Sequence, residues 1–151
     1  MKQASLSTPF GDLTLTEEDG AITALGWGQA ARQDRSDLLD AALRQLKEYA
    51  TGERQSFDLP LRVMGSDFQR AVCTAILAIP FGHTRTYGEI ARDLGVPAQA
   101  VGGACGGNPI PVIIPCHRVM GAKGLTGFSG AGGVETKVAL LRHEGAAGLL
   151  I

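Results

Sequence analysis

The sequence predicts an α+β protein, with a small β-rich N-terminal lobe (residues 1–62) and a mostly helical C-terminal domain (residues 63–151). Stretches rich in Leu, Thr and Ile flank Asp19-Gly20 near the start of the chain, which is typical of a β-hairpin or meander. Apolar residues recur with helical spacing in several later segments, which Gly and Pro separate. The 151 residues are enough to bury a proper hydrophobic core.

The N-terminal lobe is expected to contain one helix after its strands, in SDLLDAALRQLKEYATG. Ser36 is a suitable N-cap and Gly52 a suitable terminator. The predicted apolar face consists of Leu39, Ala42, Leu43 and Leu46. The next segment, FDLPLRVMG, indicates an extended linker. This lobe shows no constellation of chemical groups and is interpreted as scaffold.

The C-terminal domain is expected to begin with a helix in SDFQRAVCTAILAIP, capped by Ser66 and ended by Pro80. Its predicted buried face consists of Phe68, Val72, Ala75, Ile76 and Ile79. Cys73 lies next to this face and is interpreted as a core residue, because free cysteines are among the most buried residue types.

Two further short helices are predicted in TYGEIARDLGVPAQAVGGACGGNP. Thr86 and Glu89 have the spacing of a capping box, and the first helix is expected to end at Leu94-Gly95. The second runs from about Ala98 to Cys105, and Cys105 is interpreted as a packing residue. The result is a helix-turn-helix pattern, which alone is weak evidence of nucleic-acid binding. Its second helix is made of small residues, which suits close packing on another helix and insertion into a groove equally well.

Residues 121–133, GAKGLTGFSGAGG, form a glycine-rich loop that could cradle a ligand but lacks the pattern of a phosphate-binding loop. The segment VETKVALLRHEG predicts a final helix, ended by Gly145. Its expected apolar face consists of Val134, Val138 and Leu141.

Composition excludes several classes of protein. The net charge is −1, divided as −3 over residues 1–62 and +2 over residues 63–151, so charge alone does not indicate a polyanionic partner. No stretch approaches the roughly 20 apolar residues of a membrane span, and residues 1–20 lack the apolar core of a signal peptide. Three cysteines without a C-x-x-C pair predict free thiols in a reducing cytoplasm and no zinc site.

The segment PVIIPCHRVMG (residues 111–121) contains the one candidate nucleophile. An ordinary thiol is only a few per cent ionised at pH 7, so a neighbouring base matters, and His117 adjoins Cys116. Glu144 could orient His117 through the fold. Pro111 and Pro115 bracket a stiff segment that could hold the turn. Spacing alone leaves open whether Cys116 is a nucleophile or a small buried residue.

The segment GNPIPVIIPCHRV closely resembles the active-site signature of the O6-alkylguanine-DNA alkyltransferases, which are single-use DNA repair proteins. The resemblance extends back through TYGEIARDLGVPAQAVGGA and forward through GFSG and LLRHEG, and covers residues 66–145. It implies direct, stoichiometric transfer of an alkyl group from O6-alkylguanine to Cys116, without cofactor or metal, and O4-alkylthymine is a second candidate lesion. The implied partner is duplex DNA, bound in the minor groove with the damaged base flipped out. The protein is expected to be a monomer without membrane association.

The resemblance also implies a role for each matching residue. Cys116 is similar to the acceptor, and His117 to the base that activates it through a water molecule. Glu144 is similar to the residue that orients this base. Asn108 is similar to the residue that braces the turn between helix-turn-helix and active site. Tyr87 resembles a tyrosine that crowds the phosphate of the flipped nucleotide and can donate a proton toward the purine.

Further residues are implied on the substrate side. Ser129 and Gly130 of the glycine-rich loop, with the backbone of Val119, would receive guanine O6 and its neighbours. The candidates facing DNA on the second helix are Ala98, Gln99, Ala100 and Gly102. Arg118 is grouped with these residues, although structural pairing suits it better than contact with substrate.

The sequence departs from the family pattern at several positions. Gln99 and Gly106 stand where arginines are usual, and residues 94–117 contain no Lys or Arg, which predicts weaker DNA binding. Cys73 stands where an aromatic residue is common, and the zinc ligands of some relatives have no counterpart.

Two alternatives to the alkyltransferase interpretation stay open. One is a protein that binds lesions without transfer, although such relatives characteristically lack the cysteine. The other is a helix-turn-helix regulator or a thiol hydrolase. A regulator would need a charged recognition helix, and a hydrolase would turn over repeatedly.

Overall fold

The computed structural model describes residues 1–121 and 133–146, and it has the predicted α+β architecture. A three-stranded antiparallel sheet opens the chain, in the order β1-β2-β3. The strands are β1 (Lys2–Thr8), β2 (Gly11–Glu18) and β3 (Ala21–Trp27). Asp19 and Gly20 connect β2 to β3 with φ values of 49° and 78°, the two positive angles of a tight hairpin turn. The predicted meander is therefore confirmed.

Helix α1 (Asp37–Ala50) packs on β1 and β2. Ser36 is its N-cap, since the hydroxyl accepts a 3.0 Å hydrogen bond from the Leu39 amide. Three of the four predicted apolar positions are buried and Leu43 is half-buried, while Tyr49, outside the predicted stripe, is buried as well. The chain after α1 is extended, as predicted, and follows β3: the Ile22 amide donates to the Pro60 carbonyl at 2.8 Å.

The remaining elements surround the PCHR segment. They are α2 (Asp67–Leu77), β4 (Arg85–Thr86), α3 (Tyr87–Leu94), α4 (Ala98–Gly106), a 3-10 turn (Cys116–Arg118), β5 (Val119–Met120) and α5 (Val134–Glu144). Ser66 caps α2, and the Thr86–Glu89 capping box is present at the start of α3. Gly95, in the left-handed region at φ 68°, ends α3. Helices α3 and α4 form the predicted helix-turn-helix. Strands β4 and β5 pair in parallel, which joins this motif to the segment after Cys116.

The predicted apolar face of α5 needs correction. Leu141 is buried, but Val138 is only half-buried, and the side chain of Val134 lies outside the description. The buried face instead includes Lys137, Leu140 and Glu144. An apolar pattern assigns lysine and glutamate to solvent, whereas charged groups can lie inside a protein when they are paired there.

One apolar core runs through the whole fold. It joins Leu15 and Ile22 of the sheet to Ile76 of α2 and Ile114 beside the PCHR turn. The division of the chain at residues 62 and 63 therefore stays a prediction. In the described part of the chain, no helix combines the length and apolar character needed to cross a bilayer.

Candidate active site

Asn108 fixes the turn that leads to Cys116. Its side-chain nitrogen donates to the Ile114 carbonyl at 2.8 Å, and its side-chain oxygen accepts from the Ile110 amide at 3.0 Å. Between these contacts, buried Val112 has φ 71°, a conformation that costs a β-branched residue free energy. The hydrogen bonds on either side hold the segment in this shape, so the cysteine follows a rigid turn.

Cys116 begins the 3-10 turn and is 5% exposed. Burial raises the pKa of its thiol, while the Asn108 hydrogen bond and the charge of Lys137 lower it in part. The net direction is upward, so the resting side chain is a thiol at neutral pH. A nucleophile at this position therefore needs a base that removes its proton during the reaction.

Glu144 holds the centre of a buried hydrogen-bond network. Its Oε2 accepts from the Tyr49 hydroxyl at 2.6 Å, from His117 Nε2 at 2.7 Å and from Arg118 Nη2 at 3.0 Å. Its Oε1 accepts from Arg118 Nε at 2.8 Å. Burial raises the pKa of this carboxyl, but the hydrogen bonds from His117, Arg118 and Tyr49 outweigh it and lower the pKa to about 2. Glu144 is therefore ionised.

This network determines which nitrogen of His117 carries a proton. A carboxylate can only accept hydrogen bonds, so Nε2 must be the donor to Glu144. Burial lowers the pKa of the fully buried ring, which keeps the imidazole neutral and leaves a lone pair on Nδ1. Among the described residues Nδ1 has no hydrogen-bond partner. His117 is thus arranged as a proton acceptor.

Arg118 is a structural partner of the network. Besides its two bonds to Glu144, its Nη1 donates to the Ile79 carbonyl at 2.6 Å, and its guanidinium lies 5.8 Å from the centre of the Phe81 ring. The residue is 6% exposed. These contacts support the interpretation as a pairing residue, because a buried charge stays next to its buried partner, while its grouping with the DNA-binding residues stays a prediction.

Tyr87 and Lys137 both interact electrostatically with Cys116. Burial raises the pKa of the Tyr87 hydroxyl to about 12, so it stays protonated at neutral pH. The Lys137 ammonium lies 5.8 Å from the centre of the Tyr87 ring and donates to the Val119 carbonyl at 2.6 Å. Sequence reasoning missed Lys137. Its position four residues before Leu141, on the same helical face, was the available signal.

The substrate-side predictions are tested only in part. Both backbone groups of Val119 have partners within the chain, because its amide donates to the Cys116 carbonyl and its carbonyl accepts from Lys137. A flipped guanine base could therefore hydrogen-bond only to the second lone pair of the Val119 carbonyl oxygen. Ser129 and Gly130 lie outside the described residues.

The exposed face of α4 is made almost entirely of small residues. Val101, Ala104 and Cys105 are buried, and Gln69 of α2 donates to the Ala104 carbonyl at 2.8 Å. Ala98 and Gln99 are exposed, and Ala100 and Gly102 are half-buried.

The glycines of α4 are not needed for packing against the described part of the chain. A Cβ atom added at Gly102, Gly103 or Gly106 would meet no atom of the described residues within 4 Å beyond its chain neighbours and its own helix backbone. The sequence left two interpretations open, and close packing on another of the described helices does not account for these glycines.

The other two thiols are core residues, as predicted. Cys73 and Cys105 are both buried, and neither forms a disulfide. Burial raises the pKa of Cys73 and raises that of Cys105 to about 12, so both remain protonated at neutral pH. Within the described residues no group of three or more His, Cys, Asp or Glu side chains could hold a metal ion.

The N-terminal lobe contacts the buried network of Glu144, and its interpretation as scaffold stays a prediction. Tyr49 of α1 contributes a hydrogen bond to Glu144, and the Tyr49 carbonyl lies 2.7 Å from His143 Nε2 of α5. Sequence reasoning missed Tyr49 because a tyrosine at the end of a surface helix carries no motif.

Comparisons with known proteins agree over most of the chain. Residues 67–146 match the family model of the 6-O-methylguanine DNA methyltransferase DNA binding domain, and residues 1–63 match that of its ribonuclease-like domain. A methylated-DNA–protein-cysteine methyltransferase of Methanosarcina barkeri is 51% identical over 150 residues, covering 92% of this chain and 94% of the relative. Its counterpart from Mycobacterium tuberculosis H37Rv is 43% identical, covering 93% and 90%. The crystal structure of Mycobacterium tuberculosis OGT in complex with DNA aligns with a TM-score of 0.86 at 41% identity, covering 96% of this chain and 93% of that one.

Proposed function

Because the chain belongs to the 6-O-methylguanine DNA methyltransferase family and is a methylated-DNA–protein-cysteine methyltransferase that repairs DNA by direct alkyl transfer, we propose that Cys116 is the alkyl acceptor. One observation carries this proposal more than any other. The neutral His117, oriented by an ionised Glu144, immediately follows a buried thiol that needs a base.

The proposed reaction uses the groups as the structure arranges them. His117 Nδ1 takes the thiol proton through a water molecule, and Glu144 stabilises the imidazolium that forms. The sulfur then attacks the alkyl carbon, an S–C bond forms, and the bond from carbon to guanine O6 breaks. The leaving guanine anion takes a proton, for which the protonated Tyr87 hydroxyl is the proposed donor. The product is a thioether that ordinary thiol exchange does not reverse, so each protein molecule reacts once.

The DNA partner is proposed to lie against α4. The relative with a TM-score of 0.86 was crystallised with DNA, and the helix-turn-helix of this chain exposes a face of Ala and Gly residues. Small side chains permit close approach to a minor groove, while Gln99 is the long side chain available to fill the space of a flipped base. The protein is proposed to act as a monomer in the cytoplasm, which suits its free thiols.

Mass mapping of the modified cysteine tests this proposal. After incubation with duplex DNA containing O6-methylguanine, the peptide containing Cys116 should carry one methyl group. Cys116→Ala should abolish transfer and keep DNA binding, whereas Cys73→Ser and Cys105→Ser, the matched controls, should still transfer. Methylation of Cys73 or Cys105 in the wild-type protein would refute the assignment. Lesion binding without any transfer would favour the binding-only alternative.

A further inference from the structure

Tyr49 of the N-terminal lobe contacts the residue that orients the proposed base. Its hydroxyl donates a 2.6 Å hydrogen bond to Oε2 of Glu144, the same oxygen that accepts from His117. The tyrosine is 1% exposed, so this bond is shielded from water. The reaction described above uses Cys116, His117, Glu144 and Tyr87, all from the C-terminal domain, and gives this lobe no part.

The aromatic surroundings hold the Tyr49 hydroxyl in place. The ring packs against Phe10, Phe57 and Phe81, with centroid separations of 6.1, 5.6 and 6.2 Å. The His143 ring contacts it edge-on at 5.0 Å. Burial raises the pKa of the hydroxyl, which therefore stays a protonated donor. Since the ring cannot turn away without disturbing this cluster, the hydrogen bond is a fixed feature of the site.

We propose that Tyr49 is a positioning residue, through which the N-terminal lobe acts on Glu144 to hold His117 in its neutral, proton-accepting form. The proposal rests on the function assigned above to Cys116 and His117. Oε2 of Glu144 accepts from three donors, and each donor withdraws negative charge from that oxygen. Tyr49 thereby weakens the attraction of the carboxylate for a proton on the imidazole. Without it, Glu144 would stabilise a protonated His117 more strongly, and less of the base would be available.

The other charged groups around the imidazole act independently of Tyr49. Arg118 binds the same carboxylate from the PCHR turn, and its charge lowers the pKa of His117. Lys137 of α5 acts on His117 in the same direction. His143 packs on the Tyr49 ring and not on its hydroxyl. Tyr49→Phe leaves all of these groups in place, so a changed titration of the base would report on the hydroxyl.

The test is the pH dependence of single-turnover transfer from O6-methylguanine supplied as the free base, which removes DNA binding from the measurement. In Tyr49→Phe the acidic limb of the pH–rate profile should move to higher pH by about 0.5–1 pH unit. This shift corresponds to part of the free energy that a hydrogen bond to a charged group contributes. The plateau rate at high pH should stay within about twofold of the wild-type rate. Phe57→Leu is the matched control, because it loosens the same aromatic cluster and keeps the hydroxyl. It should lower the melting temperature without moving the limb.

A second substitution keeps the proposal testable if Tyr49→Phe folds poorly. A 3-fluorotyrosine placed at position 49 alone is a stronger donor and should move the limb to lower pH. Unchanged limbs in Tyr49→Phe and the fluorotyrosine protein, or an equal shift in Phe57→Leu, would overturn the role of Tyr49. Failure of the wild-type protein to methylate Cys116 would instead overturn the proposed function.

Discussion

The carboxylate of Glu144 should serve stability and catalysis separately, and paired substitutions at Glu144 and Arg118 can separate the two. Glu144→Gln removes the negative charge and leaves the Arg118 guanidinium, only 6% exposed, without its ion-pair partner. Breaking a buried pair in this way costs about 3–5 kcal/mol. For a domain of this size each kcal/mol lowers the melting temperature by about 2–4 °C, so the expected fall is about 6–20 °C.

The double variant Glu144→Gln/Arg118→Met should recover most of this stability, because replacing both partners of a buried pair by uncharged side chains is often neutral. It should not recover the rate. Loss of the carboxylate removes about 1.5–3 kcal/mol of stabilisation from the imidazolium of His117, which corresponds to roughly 10- to 150-fold slower transfer. Arg118→Met alone should melt early and still transfer, since Tyr49 and His117 still bind an ionised Glu144.

The assay is single-turnover transfer from duplex DNA at saturating concentration, paired with thermal melts of the same samples. Glu48→Gln is the control, because its pair with Arg54 at 2.9 Å is about 30% exposed and should contribute at most about 1 kcal/mol. If the double variant regained both stability and rate, Glu144 would act only through folding, and its role in orienting the base would be refuted.

Three other substitutions address DNA binding and the nucleophile. Gln99→Arg should tighten duplex binding, steepen its salt dependence by up to about one phosphate contact and speed transfer from duplex DNA, because an arginine fills the space of a flipped base and attracts phosphates. Transfer from a free alkylated base should not change. Unchanged or slower repair of duplex DNA would contradict this view of Gln99. Gly103→Ala should stabilise the fold by about 0.5–1 kcal/mol in thermal melts, since the added methyl meets no atom of the described residues within 4 Å beyond its own helix. It should also weaken DNA binding in titrations, and unchanged binding would remove this face from the interface. Lys137→Met removes a cation that lowers the pKa of the Cys116 thiol, so that pKa should rise. Alkylation of the thiol by iodoacetamide should therefore begin at higher pH. An unchanged pH profile of alkylation would mean that Lys137 does not act on the thiol.

Local signals in the sequence predicted most of the secondary structure. Capping residues and turn glycines act on their immediate neighbours, so Ser36, Ser66, the Thr86–Glu89 capping box and Gly95 all have the predicted local roles. The PCHR motif likewise placed Cys116, His117 and Arg118 on one turn, because they are adjacent in the chain.

The contacts that could not be predicted join distant parts of the chain. Tyr49 and Glu144 are 95 residues apart, and only the fold brings the hydroxyl of one to the carboxylate of the other. Lys137 was missed for a related reason, because an apolar pattern cannot show that a lysine is paired with a buried carbonyl. The choice between the two interpretations of the small residues in α4 depends on how much space surrounds Gly102 and Gly103. That space is a property of the folded surface, which the sequence does not show.

The most direct test of direct, single-use transfer is the amount of methyl group that the protein accepts from a large excess of duplex DNA containing O6-methylguanine. Transfer should stop at one methyl group per protein molecule, with the thiol of Cys116 fully consumed and Cys73 and Cys105 unmodified. Continued turnover past one equivalent, or a plateau reached with Cys116 still free, would contradict the account.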